Sequence, residues 1–501
     1  MCAGIKKKFA YNSVAALLLQ ITGVVCGFIL PKYILAEFGS GVNGLTVAIT
    51  RFLSIISLLD FGLGYVIQAS LYKPLAERDW NRVSEIITSG GKFFRIVARI
   101  LLVYVAFLIA FFPHLHASEY SWLFTATLIG SISISYFAQY YFGVIDRILL
   151  NADLKGYIQY SAQIVTLILN TVASVILIEM DASIQMVKLV SSLIFLARPV
   201  AIRIYVNRKY QINRYANYEK EPIQQKWNGI AMHVSSTVLD ETDVIVLTIF
   251  STLSDVSIYS IYHMVVYGVK QLIIATTGGF DPIIGRLWAQ GDMDKLRHVF
   301  SLAEWWIHTL SIYVFTWTGI LILPFVAYYT DGIVDADYIQ PLFALIIVGA
   351  HALHCLRLPY NKMIFACGMF KQTQSCYIIA AVLNVVLSSL FVWRWGLVGV
   401  GVGTLISMVF QTAYMVLYNE KHIIHWPIKK TLGQFTVDII FVITLFFVTR
   451  SFTVSDISLT MWFILAIKVG IVGLACAVVV NLLFYRKKMK EVYMVIRNRK
   501  N

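Results

Sequence analysis

Ala76-Glu77-Arg78-Asp79-Trp80-Asn81-Arg82-Val83 is a charged run wedged between long apolar segments, and its reading decides the fold. It lies in the link from Lys73 to Lys92, after the second of about fourteen apolar segments of spanning length. Outward from it, Lys and Arg fall on every second link. These are Arg147 to Lys155, Arg203 to Lys226, Arg286 to Arg297, Arg357 to Lys371, Lys421 to Lys430 and the tail from Arg486. The links between them are short and carry Glu119, Glu179, Asp181, Asp255, Asp331, Asp335, Asp337 and Asp456, against only a few cations such as Lys32, Arg394 and Arg450. Positively charged loops stay on the cytoplasmic side. The rhythm therefore predicts a multi-pass chain with both termini cytoplasmic.

The spans read from hydropathy run approximately 9–30, 42–70, 94–112, 120–145, 157–178, 184–206, 228–250, 256–279, 299–327, 339–357, 373–393, 397–418, 432–451 and 459–485. The composition agrees: of 501 residues, 58% are hydrophobic and only 14% charged, where soluble domains carry roughly 25% charged residues. A span needs roughly 20 apolar residues, and a helix is the form that satisfies its own backbone in lipid. The expected class is an all-α polytopic membrane protein.

The net charge of +14 is spread over loop after loop beside the spans. Topology and attraction to anionic headgroups account for it, and a nucleic-acid partner is not expected. Lys6-Lys7-Lys8 leads straight into a full span with no small-residue cleavage pattern, so the first helix is expected to be retained. Six cysteines form no CxxC pair, which predicts neither a disulfide framework nor a metal site, and no cofactor. No outer link exceeds about a dozen residues. Nothing outside the membrane is then large enough for an active site, so an enzyme, such as a polymerase of lipid-linked sugars, is not expected.

The opening run has an echo. Ala289-Gln290-Gly291-Asp292-Met293-Asp294-Lys295-Leu296 matches it in alanine, aspartate, basic and aliphatic residues at an offset of 213. Ala152 and Asn170 match Ala366 and Asn384 at an offset of 214. Two near-identical offsets predict two six-helix halves, and an even helix number gives them one orientation. The expected organisation is two parallel six-helix bundles, at 1–206 and 228–418, joined by a cytoplasmic linker at 207–227. Two further helices and a basic tail occupy 419–501.

Several stretches carry a family resemblance: Tyr11-Asn12-Ser13, Leu30-Pro31-Lys32-Tyr33-Ile34, Gly39, Asn43-Gly44-Leu45, Leu58-Leu59-Asp60-Phe61-Gly62-Leu63-Gly64 and Ser70-Leu71-Tyr72-Lys73-Pro74-Leu75-Ala76. In these the chain resembles oligosaccharide flippases of the Wzx or polysaccharide-transporter type. Their superfamily also holds lipid II flippases and multidrug and toxin extruders. The likeness covers the whole chain in span layout, while its motifs are confined to about the first 95 residues. The resemblance implies alternating access in a bacterial cytoplasmic membrane. The implied substrate is an oligosaccharide on undecaprenyl pyrophosphate, moved from the inner to the outer leaflet for O-antigen, capsule or exopolysaccharide assembly. A polysaccharide polymerase and chain-length proteins are the implied partners. Two other readings share the fold: a drug or cation antiporter and a lipid II flippase.

A sugar headgroup on a pyrophosphate needs a wet cavity with cations, hydroxyls and amides rather than a nucleophile. Buried ionisable groups cost roughly 3 kcal/mol at mid-span and commonly face such a cavity. Arg51 lies in the second span with Thr50, Ser54 and Ser57 on nearby turns. Lys270 lies in the eighth below Tyr259, His263 and Tyr267 at helical steps. Arg51, Lys270, His233 and Tyr267 are the expected substrate-cavity residues. Asp240 and Asp243, three apart on span seven, form either a coupling site for a proton or sodium gradient or a static pair with Lys270 or Arg51. Asp60, Gly62 and Gly64 are expected to gate or shape the second span. Arg99 and Arg198 are read as snorkelling, His351 and His354 as core histidines, and Asn170 and Asn384 as helix-to-helix partners.

Overall fold

A computed structural model describes residues 2–60, 63–219, 221–223, 230–452 and 458–498. The described residues hold helices and no strand. They divide into two compact units, Met1–Thr237 and Val238–Asn501.

The first unit is built from α1 (Cys2–Ser54), α2 (Leu63–Glu77), α3 (Trp80–Phe111), α4 (Trp122–Ala138), α5 (Val144–Ala152), α6 (Gly156–Glu179) and α7 (Ile184–Lys209). A π-helical turn, Gln139–Gly143, joins α4 to α5. The helix α8 (Ile230–Phe250) bridges the sequence boundary between the units. The second unit continues with α9 (Leu253–Thr277), α10 (Phe280–Gln290), α11 (Met293–Tyr329), α12 (Pro341–Leu356), α13 (Leu358–Ala366) and α14 (Phe370–His422). It ends with α15 (Ile428–Thr449), α16 (Leu459–Phe484) and α17 (Arg486–Asn498).

Among the described residues, eleven helical stretches are long and apolar enough to cross a membrane. Two of them belong to helices of 53 residues. At 1.5 Å per residue such a helix would reach about 80 Å, far beyond a hydrocarbon layer of about 30 Å. Each is in fact two spans. Gly39 (φ 77°) breaks α1 and Gly396 (φ 51°) breaks α14, both at backbone angles that glycine adopts without strain. In α14 the chain doubles back. Ser388 Oγ donates to the Val400 carbonyl at 3.3 Å, and Asn384 Nδ2 to Thr404 Oγ1 at 3.0 Å. The helix α8, read from the sequence as the span 228–250, is not among the eleven, because Asp240, Glu241 and Asp243 interrupt its apolar run. With it and the two doubled helices the count is fourteen, as the hydropathy predicts.

The arms of the α14 hairpin touch at Gly403. A Cβ there would fall 2.6 Å from the Ser388 backbone nitrogen and 3.0 Å from its Cα. Backbone cannot yield as a side-chain tip can, so Gly403→Val is expected to cost about 1–3 kcal/mol or more. A drop in Tm of the purified chain would report it. An unchanged Tm would mean that the hairpin is not this tight.

The sequence echo is a structural echo. Asp79 caps α3, accepting from the Arg82 amide at 2.9 Å, and Asp292 caps α11, accepting from the Lys295 amide at 3.1 Å. Each cap follows a left-handed residue, Arg78 (φ 59°) or Gly291 (φ 70°). The second pair repeats as closely. Lys155 N bonds Leu150 O at 2.8 Å, and Met369 N bonds Ile364 O at 3.1 Å, after the left-handed Leu154 and Gly368. Such turns close the last helical carbonyls.

Large apolar side chains face outward: Val103, Leu345 and Leu483 are all more than 70% exposed. Asn384, Ser388 and Asn419 are fully buried. That inversion suits a chain whose solvent is hydrocarbon. In the second unit, α15 and α16 pack on α11. Trp305 donates to Asn481 at 2.6 Å, Trp317 to the Ala466 carbonyl at 3.0 Å and Trp462 to the Leu321 carbonyl at 3.2 Å.

Part of the stretch 207–227 is held on the first unit. Asn213 N donates to Ser84 Oγ at 3.0 Å, Thr88 Oγ1 to the Asn213 carbonyl at 3.3 Å, and Ser89 to Glu221. Tyr210 donates to Asp153 at 2.6 Å, and Arg214 to the fully buried Asp146 at 2.8 Å.

Candidate functional site

Within the second unit, α8, α9, α12 and α14 line a small cavity of about 20 Å³ rich in polar side chains. Its floor is Asp243 on α8, 4% exposed. Thr404 Oγ1 lies 2.8 Å from both carboxylate oxygens, Tyr259 donates at 2.8 Å and Asn384 Nδ2 at 3.3 Å. The hairpin break at Gly396 makes this possible, since it brings Asn384 and Thr404 side by side. Asn384 Oδ1 is buried with no hydrogen-bond partner among the described residues. The Val400 carbonyl, which accepts from both Ser388 and Thr404, lies in the same cluster. Two hydroxyls and one amide nitrogen thus meet the Asp243 carboxylate, the hard oxygen ligand of the cluster. No group of His, Cys, Asp and Glu among the described residues could hold a transition metal.

A ladder on α9 forms one wall. Tyr259, His263 and Tyr267 stack at helical steps with ring centroids 5.4 Å apart. Lys270 Nζ lies 4.9 Å from the Tyr267 ring, and the lysine is only 6% exposed. From α12, His351 meets His263 edge-on at 5.5 Å, and His354 lines the same cavity. Their hydrogen bonds fix the two rings oppositely. His351 Nδ1 lies 3.0 Å from the Ile347 carbonyl, which can only accept, so Nδ1 carries the proton. Arg357 Nη2 lies 3.0 Å from His354 Nδ1 and can only donate, so that nitrogen holds the lone pair.

The expected site residues thus meet unequally. Lys270 and Asp243 line one cavity, and Tyr267 stacks at its edge, 40% exposed. The side chains of His233, Asp240 and Asp60, and the whole of Gly62, lie outside the described residues. Arg51 belongs to the first unit and is half-buried where α1 gives way to a 3₁₀ turn, Ile55–Asp60. Ser54 Oγ donates to the Arg51 carbonyl at 2.6 Å. Tyr136 and Tyr104 donate to the flanking carbonyls of Thr50 and Phe52 at 3.3 and 2.9 Å. Gly64 starts α2 against Ile148, leaving 3.6 Å to where a Cβ would stand. Along the second span, α1 ends at Ser54, the 3₁₀ turn runs to Asp60 and α2 begins at Leu63.

His351 and His354, read as core histidines, both line the cavity. Their spacing of three, aligned with Lys270 across the unit, is not readable from one helix. Asn384 bonds across helices, whereas among the described residues Asn170 accepts only from Ser174 of its own helix, at 3.5 Å.

A second buried polar cluster joins α11, α13 and α15. His308 Nδ1 lies 2.7 Å from Asp438 Oδ2, with neither side chain more than 4% exposed. Glu304 accepts from Tyr360, and from Thr431 at 3.1 Å. Lys488, on α17, reaches the Ser301 carbonyl at 2.9 Å. Burial pushes its ammonium below the ordinary range, and Glu304 opposes that shift.

The helices define an all-α multi-pass membrane protein with a buried polar cavity in its second unit. No protein-family model matches the chain, and no curated protein matches it. Solved structures do. It is similar to lipid II flippase MurJ in an inward closed conformation, with a TM-score of 0.72 at 14% identity, over 95% of this chain and 99% of that one. It is similar to the MATE multidrug transporter DinF-BH, with a TM-score of 0.61 at 14% identity, over 84% and 97% of the chains. An inward-facing multidrug resistance MATE family transporter of the MOP superfamily gives a TM-score of 0.59 at 14% identity, over 82% and 98%. The chain shares the fold of these membrane flippases and transporters.

Proposed function

We propose that the protein is a flippase for lipid-linked oligosaccharide. It carries repeat units on undecaprenyl pyrophosphate from the inner to the outer leaflet of a bacterial cytoplasmic membrane by alternating access. The observation that carries this reading is the polar, cation-bearing cavity inside an apolar-surfaced helical unit. Lys270 supplies the charge for an anionic headgroup, and the stacked Tyr259, His263 and Tyr267 supply flat faces of the kind sugars pack against. Arg51 is assigned a second contact to the pyrophosphate. A cation-exporting antiporter is favoured less, because a buried lysine opposes a cationic cargo.

The reading includes a coupling ion at Asp243, either sodium or a proton, held with Thr404 and Asn384. It keeps both termini cytoplasmic, the bundles at 1–206 and 228–418, and a polysaccharide polymerase with chain-length proteins as working partners. Lipid II is the second substrate considered, supported by the likeness to MurJ over 95% of the chain.

Each charge-assisted contact to the pyrophosphate contributes about 1.5–3 kcal/mol, so Arg51→Ala or Lys270→Ala is expected to lower transport roughly ten- to a hundredfold. Surface-polysaccharide level, measured against equal amounts of inserted protein, reads the effect. Normal levels in both variants would overturn the cavity assignment. Rescue of cells depleted of their lipid II flippase would move the substrate to lipid II.

A further inference from the structure

The first unit gathers arginines at the end where its cation-bearing links lie. Arg95 is on α3, Arg147 on α5, and Arg198 and Arg203 on α7, all half-buried; Arg214 reaches in from the link after α7. One carboxylate answers them. Asp146 takes Arg214 at 2.8 Å and has Arg203 at 3.9 Å. Arg198 donates to Gln139 Oε1 at 3.0 Å, a neutral partner. Arg147 is a charged neighbour of Arg198, as Arg95 and Arg214 are of Arg203. Among the described residues, neither Arg95 nor Arg147 has a hydrogen bond or an ion pair.

A half-buried guanidinium on a span-length helix is expensive, and like charges beside it raise the cost. Snorkelling explains one such group at a helix end. It does not explain four from three helices drawn to one place. The backbone there is special too. The π turn Gln139–Gly143 supplies the glutamine that holds Arg198, and Gly143 meets α7 so closely that a Cβ would lie 2.9 Å from Pro199 Cβ. π turns of this kind are frequent at functional sites.

We propose that this cluster binds a phosphate-bearing group, either the headgroup phosphate of a lipid in the adjoining leaflet or a soluble phosphate. Guanidinium forks match phosphate oxygens two at a time, and two of the forks here have no other acceptor among the described residues. The site lies wholly within the first unit and is separate from Arg51 and from the Lys270 cavity. It rests on the flippase reading only for its place in the cytoplasmic leaflet and for its use as an entry site.

The test uses the full chain in phosphatidylcholine nanodiscs, titrated with inorganic pyrophosphate. In parallel, native mass spectrometry measures uptake of added phosphatidylglycerol. Arg147→Gln with Arg198→Gln is expected to weaken binding by about tenfold or more, whereas Arg51→Ala leaves it unchanged. Arg95→Gln, read in the same way, serves if the double variant fails to insert. Uptake of the lipid alone assigns a headgroup site, and binding of pyrophosphate alone assigns a soluble phosphate. Equal affinity for both probes in the parent and these variants would overturn the proposal. Loss of binding with undisturbed surface polysaccharide would leave the site standing and detach it from transport.

Discussion

Asp243→Asn is expected to abolish the response to the coupling cation proposed for that residue and to lower transport by at least about tenfold. The substitution keeps the side chain's shape and most of its hydrogen bonds, but removes the charge around which Thr404, Asn384 and Tyr259 are arranged. A cation at about a hundred times its Kd stabilises the folded state by about 2.7 kcal/mol. The parent should therefore gain Tm on addition of sodium, or on acidification if the ion is a proton, and Asp243→Asn should gain nothing. Thr404→Val should weaken the response without removing it. A variant at Asp243 that still gains Tm and still transports would overturn the assignment.

His308→Leu is expected to be among the most destabilising single changes in the second unit. It strands the Asp438 carboxylate, 3% exposed, opposite an apolar side chain. Removing one partner of a buried pair costs about 3–5 kcal/mol, because the remaining charge is left uncompensated. Replacing both partners is different: His308→Leu with Asp438→Leu should recover most of the loss, since apolar packing can substitute for a satisfied pair. Thermal denaturation of the three variants in detergent distinguishes the cases. Equal Tm values for the parent and His308→Leu would show that this pair does not hold α15 on α11.

Much of the fold is legible in the sequence because lipid imposes one rule on every span. A helix must be long, apolar and closed on its own hydrogen bonds, and Lys and Arg mark alternate links. The echo of Ala76–Val83 in Ala289–Leu296 is legible for a stricter reason. Asp79 and Asp292 are N-caps in the same turn, and a cap needs a particular residue at a particular place.

The site is legible only by halves. Lys270 and Asp243 stand out because a charge inside a span has no place in the hydropathy rule. His351, His354, Asn384 and Thr404 do not, because their meaning comes from residues on other helices. The fold brings Asn384 beside Thr404 through a reversal at Gly396, and nothing local to either residue announces that. The arginines of the first unit are hidden differently. Each alone reads as an interfacial cation, and only their convergence separates them from that.

The polarity of α8 also bears on how the chain enters the membrane during synthesis. With Asp240, Glu241 and Asp243 in a stretch of 21 residues, this segment is a poor substrate for insertion on its own, each carboxylate near the centre adding about 2.5–3.5 kcal/mol. Only Ser251 and Thr252 separate it from α9, which is apolar enough to cross. The two are therefore best delivered to the bilayer as one antiparallel pair, with α9 carrying α8 in. The carboxylate of Asp243 then has Tyr259 of α9 beside it, but waits for Asn384 and Thr404, more than a hundred residues later in translation. The helix that makes the cavity chemically useful is thus the one whose insertion depends most on its C-terminal neighbour.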